Sequence, residues 1–206
     1  AIKNYSSPSS SYVPMISSPS PNLSINVSSC SCNLIYRIAS RWSRTTKKGG
    51  NNKYYLPAEY AIKWDEESVN YYKMPRNLNA NEYRQGFIIS GICSSLTARL
   101  STVGALWESN KAMCFFPKDP QRYPPEFFIG LLNSEIYNKM IKLLNHTNSI
   151  QIRDIKKLPM PDFNDGDIKS IAAISKDIIV SMNKNLEYDF GHEQIHVNKI
   201  VQKYFN

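Results

Sequence analysis

Residues 82–117 read EYRQGFIISGICSSLTARLSTVGALWESNKAMCFFP, and residues 124–163 read PPEFFIGLLNSEIYNKMIKLLNHTNSIQIRDIKKLPMPDF. In the first half, short apolar runs are broken by Gly86, Gly91 and Gly104, with Ser94, Ser95, Arg99 and Ser101 between them. Runs of that length bounded by turn residues predict short strands: FIIS, then segments around TARLS, GALWES and AMCFFP. Pro117, Pro120, Pro124 and Pro125 make a hard break, because proline fixes φ and removes a donor. From Glu126 the spacing turns helical, with Phe127, Phe128, Leu131 and Leu132 on one face and Ile136, Met140, Ile141, Leu143 and Leu144 on the next. Asn133-Ser134 predicts a cap that divides two helices. Beyond it, Ile150 and Ile152 are expected to point one way, and Asp154 to cap the short turn IKKL before Pro159 and Pro161. A helix is expected from Asp167, burying Ile168, Ile171, Ile174, Ile178 and Met182. A last one is expected over GHEQIHVNKIVQKYF, with Ile195, Ile200, Val201 and Phe205 apolar.

Working back from this stretch, YYLPAEYAIKW (54–64) and VNYYK (69–73) read as two strands joined by the polar turn DEES, followed by a loop over 75–82. Residues 33–50, NLIYRIASRWSRTTKKGG, read either as a helix capped by Asn33 and ended by Gly49, or, at the β-branched Thr45 and Thr46, as a strand entering a Gly-Gly turn. A helix to about Ser40 and then an extended segment reconciles the two. Residues 1–31 are rich in Ser and Pro and predict no regular helix. The expected class is therefore α+β, a small, mostly antiparallel β-sheet followed by packed C-terminal helices. Three segments follow: a Ser/Pro-rich segment over 1–31, a main domain over 32–163, and a helical segment over 164–206.

Charge is unevenly distributed. The 206 residues carry a formal net charge of +8. No Asp or Glu precedes Glu59, whereas Lys3, Arg37, Arg41, Arg44, Lys47, Lys48 and Lys53 do; after that point the signs nearly cancel. Such a footprint suits a polyanion-binding surface. The alternative is a solvated basic face. Cys30 and Cys32 with the distant Cys93 and Cys114 match neither zinc spacing nor a disulfide framework, so reduced, packing thiols are expected. No apolar run reaches the length of a membrane span, and the cytoplasm is the expected compartment.

The chain supplies little for catalysis. His146 falls in a polar loop; His192 and His196 stand four apart with Glu193 between them, and no third ligand accompanies them. No phosphate-cradling glycine loop is present, and Asp65-Glu66-Glu67 reads as a solvated turn. No metal and no cofactor is expected in this chain. DNA binding asks instead for phosphate-neutralising cations and for groups that read base edges. Lys47-Lys48-Gly49-Gly50-Asn51-Asn52-Lys53 makes a basic, amide-rich loop of that kind. Ser94, Ser95, Thr97 and Arg99 make a second polar cluster, expected in a turn between strands, with Arg44 as a further candidate and Lys111, Arg122 and Arg153 as weaker ones.

At these residues the sequence resembles a known family. GFIISGICSSLTARLSTVGALWESNKAMCFFP is similar to the stretch G-(x)-W-S-x-I-S-S-x-x-x-A-R-(L/Y)-S-x-x-G-x-x-(F/W)-(D/E) of the TaqI-like C-terminal specificity domain. That domain belongs to adenine-N6 DNA methyltransferases of type IIG restriction-modification enzymes and of the BREX methyltransferase PglX. FFIGLLNSEIYNKMIKLLNHTNSIQIRDIKKLPMP is similar to the family's L-x-G-L-L-N-S-K followed by N-P-T-x-N-F-Q-V-G-D-I-x-x-L-P-I. KKGGNNKYYLPAEYAIKW resembles its K-G-G segment before a W-x-G-N-x-E-Y-x-(V/I)-x-W run. The match covers about residues 41–163. It departs where the family Trp after Gly86 is replaced by Ile88 or Ile89, and where N-P-T reads Asn145-His146-Thr147. The resemblance implies a target-recognition domain that clamps double-stranded DNA against a methyltransferase catalytic domain, in cis or in trans. That domain would carry an N-P-P-Y motif and bind S-adenosylmethionine; neither that motif nor the glycine-rich loop for the cofactor occurs in this sequence, which implies a fragment or a stand-alone module. On this reading Lys47, Lys48, Ser94, Ser95 and Arg99 face DNA, while LNS and the LPMP turn are structural. The runner-up is a protein-interaction subunit whose helical end docks a catalytic partner.

Overall fold

The computed structural model describes residues 13–14, 42–46, 50–57, 60–63, 65, 67–68, 78–80, 85–101, 106–108 and 111–205. The strands are β1 (Val13–Pro14), β2 (Trp42–Thr46), β3 (Tyr60–Lys63), β4 (Leu78–Ala80), β5 (Phe87–Ser90), β6 (Ala98–Leu100), β7 (Leu106–Glu108) and β8 (Ala112–Phe115). The helices are α1 (Pro125–Asn133), α2 (Glu135–Leu144), α3 (Ile152–Ile155), α4 (Asp165–Lys184) and α5 (Gly191–Gln202). The class is α+β, and the described elements after β8 are all helical.

The strands form two sheets rather than one: a five-stranded sheet in the order β1-β3-β2-β7-β4 and a three-stranded sheet in the order β6-β5-β8. Among the described strands every pairing is antiparallel except β2 with β7, where Thr45 faces Leu106. The four strands expected between 86 and 117 are present. The loop expected over 75–82 instead contains β4, which pairs with β7 through Asn79 and Trp107. That pairing is long-range, and three residues carry too little periodicity to announce it. Among the described residues of the expected strand 54–64, β3 is the strand, and Tyr54 makes an isolated parallel bridge to Arg99. The extended segment after Ser40 is β2, whereas the helix before it and the strand 69–73 lie outside the described residues.

Pro125 occupies the first turn of α1, where its missing N–H costs nothing, with Glu126 beside the positive end of the helix dipole. Ser134 separates α1 from α2, as expected. Its hydroxyl does not cap α2, however, but donates back to Leu131 O at 2.7 Å. The expected cap at Asp154 is likewise corrected: Gln151 is the N-cap of α3, and Asp154 at N3 closes a capping box by accepting the Gln151 amide at 3.0 Å. Helix α4 begins two residues earlier than expected, because Asn164 Oδ1 accepts from the Asp167 amide at 2.8 Å. Ile150 is buried but Ile152 is 45% exposed, since α3 starts between them and breaks the alternation. Ile195, expected on the apolar side, is exposed; α5 buries Val201, as expected, and Val197.

The core lies between the three-stranded sheet and the helices. Phe87 on β5 stacks on Phe115 of β8 and on Phe128 of α1, and Phe127 meets Phe163, which in turn packs on Tyr204. Gly130 lets α1 lie directly on α4: a Cβ there would come within 2.7 Å of Ile171 Cγ2 and collide with Ser175 Oγ. No helix among the described residues is long and apolar enough to cross a membrane.

Candidate nucleic-acid interface

The two loops singled out in the sequence meet in the structure. Gly50, at φ +94°, is in the left-handed region and turns the chain so that its amide donates to Ile92 O at 2.8 Å. Asn51 Oδ1 then accepts from the Ser94 amide at 3.0 Å. Tyr54 anchors the end of this loop. Its backbone pairs with β6 (Tyr54 N to Ala98 O, 2.8 Å; Leu100 N to Tyr54 O, 2.9 Å), and its hydroxyl donates to Gln194 Oε1 at 2.8 Å. Its ring is fully buried, edge-on to Phe190, and the surrounding contacts hold a non-glycine residue at φ 63°.

A third loop, 145–149, joins them. The Cys93 amide donates to Asn148 O at 3.0 Å and the Ile150 amide to Gly91 O at 2.9 Å, giving an antiparallel bridge between Ile92 and Ser149. Asn145 organises this loop from within. Its Oδ1 accepts from the Thr147 amide at 2.9 Å and from Thr147 Oγ1 at 2.7 Å; its Nδ2 donates to Ser149 O at 2.9 Å and to Asp154 Oδ2 at 2.8 Å. Asn51, Asn52, Ile92, Ser94, His146, Thr147, Asn148 and Ser149 are exposed along this edge. None of the three loops contains Asp or Glu. The nearest acid in sequence, Asp154, is 6% exposed. Burial pushes its carboxyl up, but the bonds from Asn145 and the Gln151 amide, with Arg153 and Lys157 nearby, outweigh that and hold it below the usual carboxylate range.

Behind the edge, two asparagines fix the turn at 96–98. Asn138 Oδ1 accepts from the Leu96 amide at 2.9 Å. Asn133, 1% exposed, accepts from the Ala98 amide at 2.9 Å and donates to Ala98 O at 2.8 Å. The side-chain amide thus pairs with β6 as a neighbouring strand would, which accounts for the structural role expected of LNS. The LPMP turn is tied down as well, by Tyr137 Oη donating to Pro159 O at 2.6 Å.

Of the sequence-predicted site residues, Ser94 is exposed on the edge and Ser95 half-buried beside it, its carbonyl accepting from Thr97 Oγ1 at 2.9 Å. Arg99 is a correction. It lies on β6 rather than in a turn, is 1% exposed, and donates from Nη1 to Ser90 Oγ at 2.8 Å. Burial works against its charge and pushes its pKa down to about 10, which leaves it protonated at neutral pH. Its guanidinium is a core group in this structure. Lys53 also turns inward, its Nζ donating to Asn133 O at 3.2 Å at the negative end of α1, with its pKa lowered by desolvation. Lys111 is half-buried, and its carbonyl accepts from the Gly91 amide at 3.0 Å, at the root of the edge. Arg44 lies on β2 opposite Ala61 of β3. Lys47 and Lys48 lie outside the described residues. Sequence reasoning missed loop 145–149. Its signal was the Asn-His-Thr-Asn-Ser run, whose side chains suit turns, but nothing in it announces pairing with residues 91–93.

Two thiols lie behind this edge. Burial pushes Cys93 up to about 11, and Arg99 nearby offsets that only in part; burial likewise pushes Cys114 up to about 11. A thiol raised by folding stabilises the native state fully below its unfolded pKa near 9, and that stability is lost as pH climbs towards 11. We expect urea unfolding to show a loss on the order of 2–3 kcal/mol for Cys93 across that window. Cys93→Ala should flatten the decline, and an equally steep decline in that variant would contradict the assignment.

His192 and His196 sit one turn apart on α5 with ring centroids 4.6 Å apart, and H-E-Q-I-H has the spacing of a zinc-binding helix. Glu193, however, is bonded to the Tyr188 hydroxyl, and among the described residues no group of three or more His, Cys, Asp or Glu is arranged to hold a metal ion. No protein-family model matches the chain, and a search of curated proteins finds no match.

Proposed function

We propose that the chain recognises a DNA sequence as the C-terminal specificity domain of a bacterial adenine-N6 DNA methyltransferase or type II restriction-modification enzyme acting in the cytoplasm. Methyl transfer from S-adenosylmethionine would belong to a separate catalytic domain, in cis or in trans. The observation that carries the reading is the acid-free edge on which loops 50–53, 91–95 and 145–149, distant in sequence, are bonded side by side. Asparagine amides match the adenine N6/N7 edge bidentately, and serine and threonine hydroxyls serve either base. The basic residues of the first third of the chain, Arg44, Lys47 and Lys48 among them, would neutralise phosphates, which positions the duplex without reading it.

Selection from a random duplex pool at fixed salt tests this. The expected result is an enriched motif, with discrimination reduced by about 1–3 kcal/mol at one or two positions in Asn51→Ala and Ser94→Ala. Recovery of random sequence by a chain that does bind DNA would refute base reading at the edge. The second reading, a subunit that docks a catalytic partner through its helical end, is favoured by Val180 on α4, Leu186 between α4 and α5, and Ile195 on α5, which are 45%, 54% and 52% exposed.

A further inference from the structure

Charge that cancels along the later chain does not cancel locally. Residues 138–161 carry Lys139, Lys142, Arg153, Lys156 and Lys157 against a single acid, Asp154. That acid is buried, with Oδ2 taken by Asn145 and by the Gln151 amide. Lys139 is committed to Glu135 at 2.8 Å. Lys142, Arg153, Lys156 and Lys157 are exposed, Arg153 approaching Asp154 only at 3.9 Å. Helix α4 differs: Asp165, Asp167 and Asp177 are interspersed with Lys169, Lys176 and Lys184.

The four cations belong to the end of α2, to α3 and to the turn after it, and this unit is internally tied. Asn145, the C-cap of α2, holds Asp154 of α3, and Tyr137 of α2 holds Pro159. The same Asn145 organises loop 145–149 of the recognition edge. The basic surface is thus bonded to the edge through one residue.

We propose that Lys142, Arg153, Lys156 and Lys157 form a phosphate-gripping strip for the duplex whose bases meet the loop edge. This rests on the DNA-recognition reading and extends it to a surface that the net charge of the later chain conceals. Phosphate contacts fix register and orientation, so a strip rigidly coupled to the reading loops would set which bases they reach. Exposed Leu143, Leu144 and Ile152 in the same stretch make an anionic lipid surface the competing occupant. DNA is favoured because the strip is continuous with the edge and because α3 is only four residues long, too short to lie in a bilayer interface as an amphipathic helix.

The test is a salt titration of the whole chain on duplex DNA, with Lys142→Gln, Arg153→Gln, Lys156→Gln and Lys157→Gln combined. Each phosphate contact contributes about 0.9 to the slope of log K against log salt, so the slope should shallow by roughly 3–4 while base preference stays as it was. Replacing the three lysines with arginine should keep the wild-type slope. An unchanged slope in the glutamine variant, with wild type binding DNA normally, would overturn the strip and leave the edge standing. Absence of salt-dependent DNA binding by the wild type would overturn both. Loss of binding to phosphatidylserine vesicles in the variant, with DNA binding unaltered, would assign the strip to lipid and overturn the proposal.

Discussion

Asn133→Ala should be among the most destabilising single changes in the chain, lowering the free energy of unfolding by about 3 kcal/mol. The side chain is 1% exposed and bonds both backbone groups of Ala98, so truncation orphans a buried N–H and takes from the Ala98 carbonyl one of its two donors, the other being the Tyr54 amide. An unsatisfied buried group costs about 1–3 kcal/mol, and the total stability of a domain is only about 5–15 kcal/mol. Lys53 keeps its acceptor in this variant, because it donates to the backbone carbonyl of residue 133. A urea midpoint that drops at unchanged slope is the expected observation. A midpoint within error of wild type would show that α1 and β6 do not depend on this clamp.

Arg99→Ala should also destabilise, by roughly 2–5 kcal/mol, and should do so without a change of base preference in the protein that remains folded. The side chain fills space between β5 and the Tyr54 bridge and bonds Ser90 Oγ at 2.8 Å, so alanine leaves both a cavity and a lost partner. Arg99→Met keeps most of the unbranched volume and removes a charge that burial disfavours; it should cost much less. A base-reading arginine behaves in the opposite way: near-normal stability, with discrimination falling by about 1–3 kcal/mol at one position. If Arg99→Ala melted like wild type but relaxed sequence preference, the interior assignment would be wrong.

Arg99 also shows where sequence reasoning ends. An arginine after Ser-Ser-Leu-Thr-Ala looks like a turn residue, because polar neighbours normally mean solvent. On β6 both faces are covered: Ala98 is fully buried, and its neighbour Arg99 is nearly so. Alternation cannot reveal a strand enclosed on both sides. The strands FIIS, TARLS and AMCFFP were legible because each is bounded by glycine, serine or proline, and α1 and α2 because their apolar spacing is interrupted at Ser134. Strand β4 was not legible, since its existence depends on β7 nearly thirty residues later in the chain. The loop edge was half legible. Residues 47–53 and 94–99 stood out by composition, whereas the bonding of 145–149 to 91–93 is a tertiary event with no local signature. Asn133 looked like a helix stop, and nothing in its neighbours shows that its amide substitutes for a strand.

Amide chemical-shift mapping of the isotopically labelled chain titrated with duplex DNA tests the central claim most directly. The account predicts that the largest perturbations fall on 50–53, 91–95 and 145–149, with the amides of α4 and α5 little changed. Perturbations confined to α4 and α5, or none at concentrations where the DNA is in excess, would contradict it.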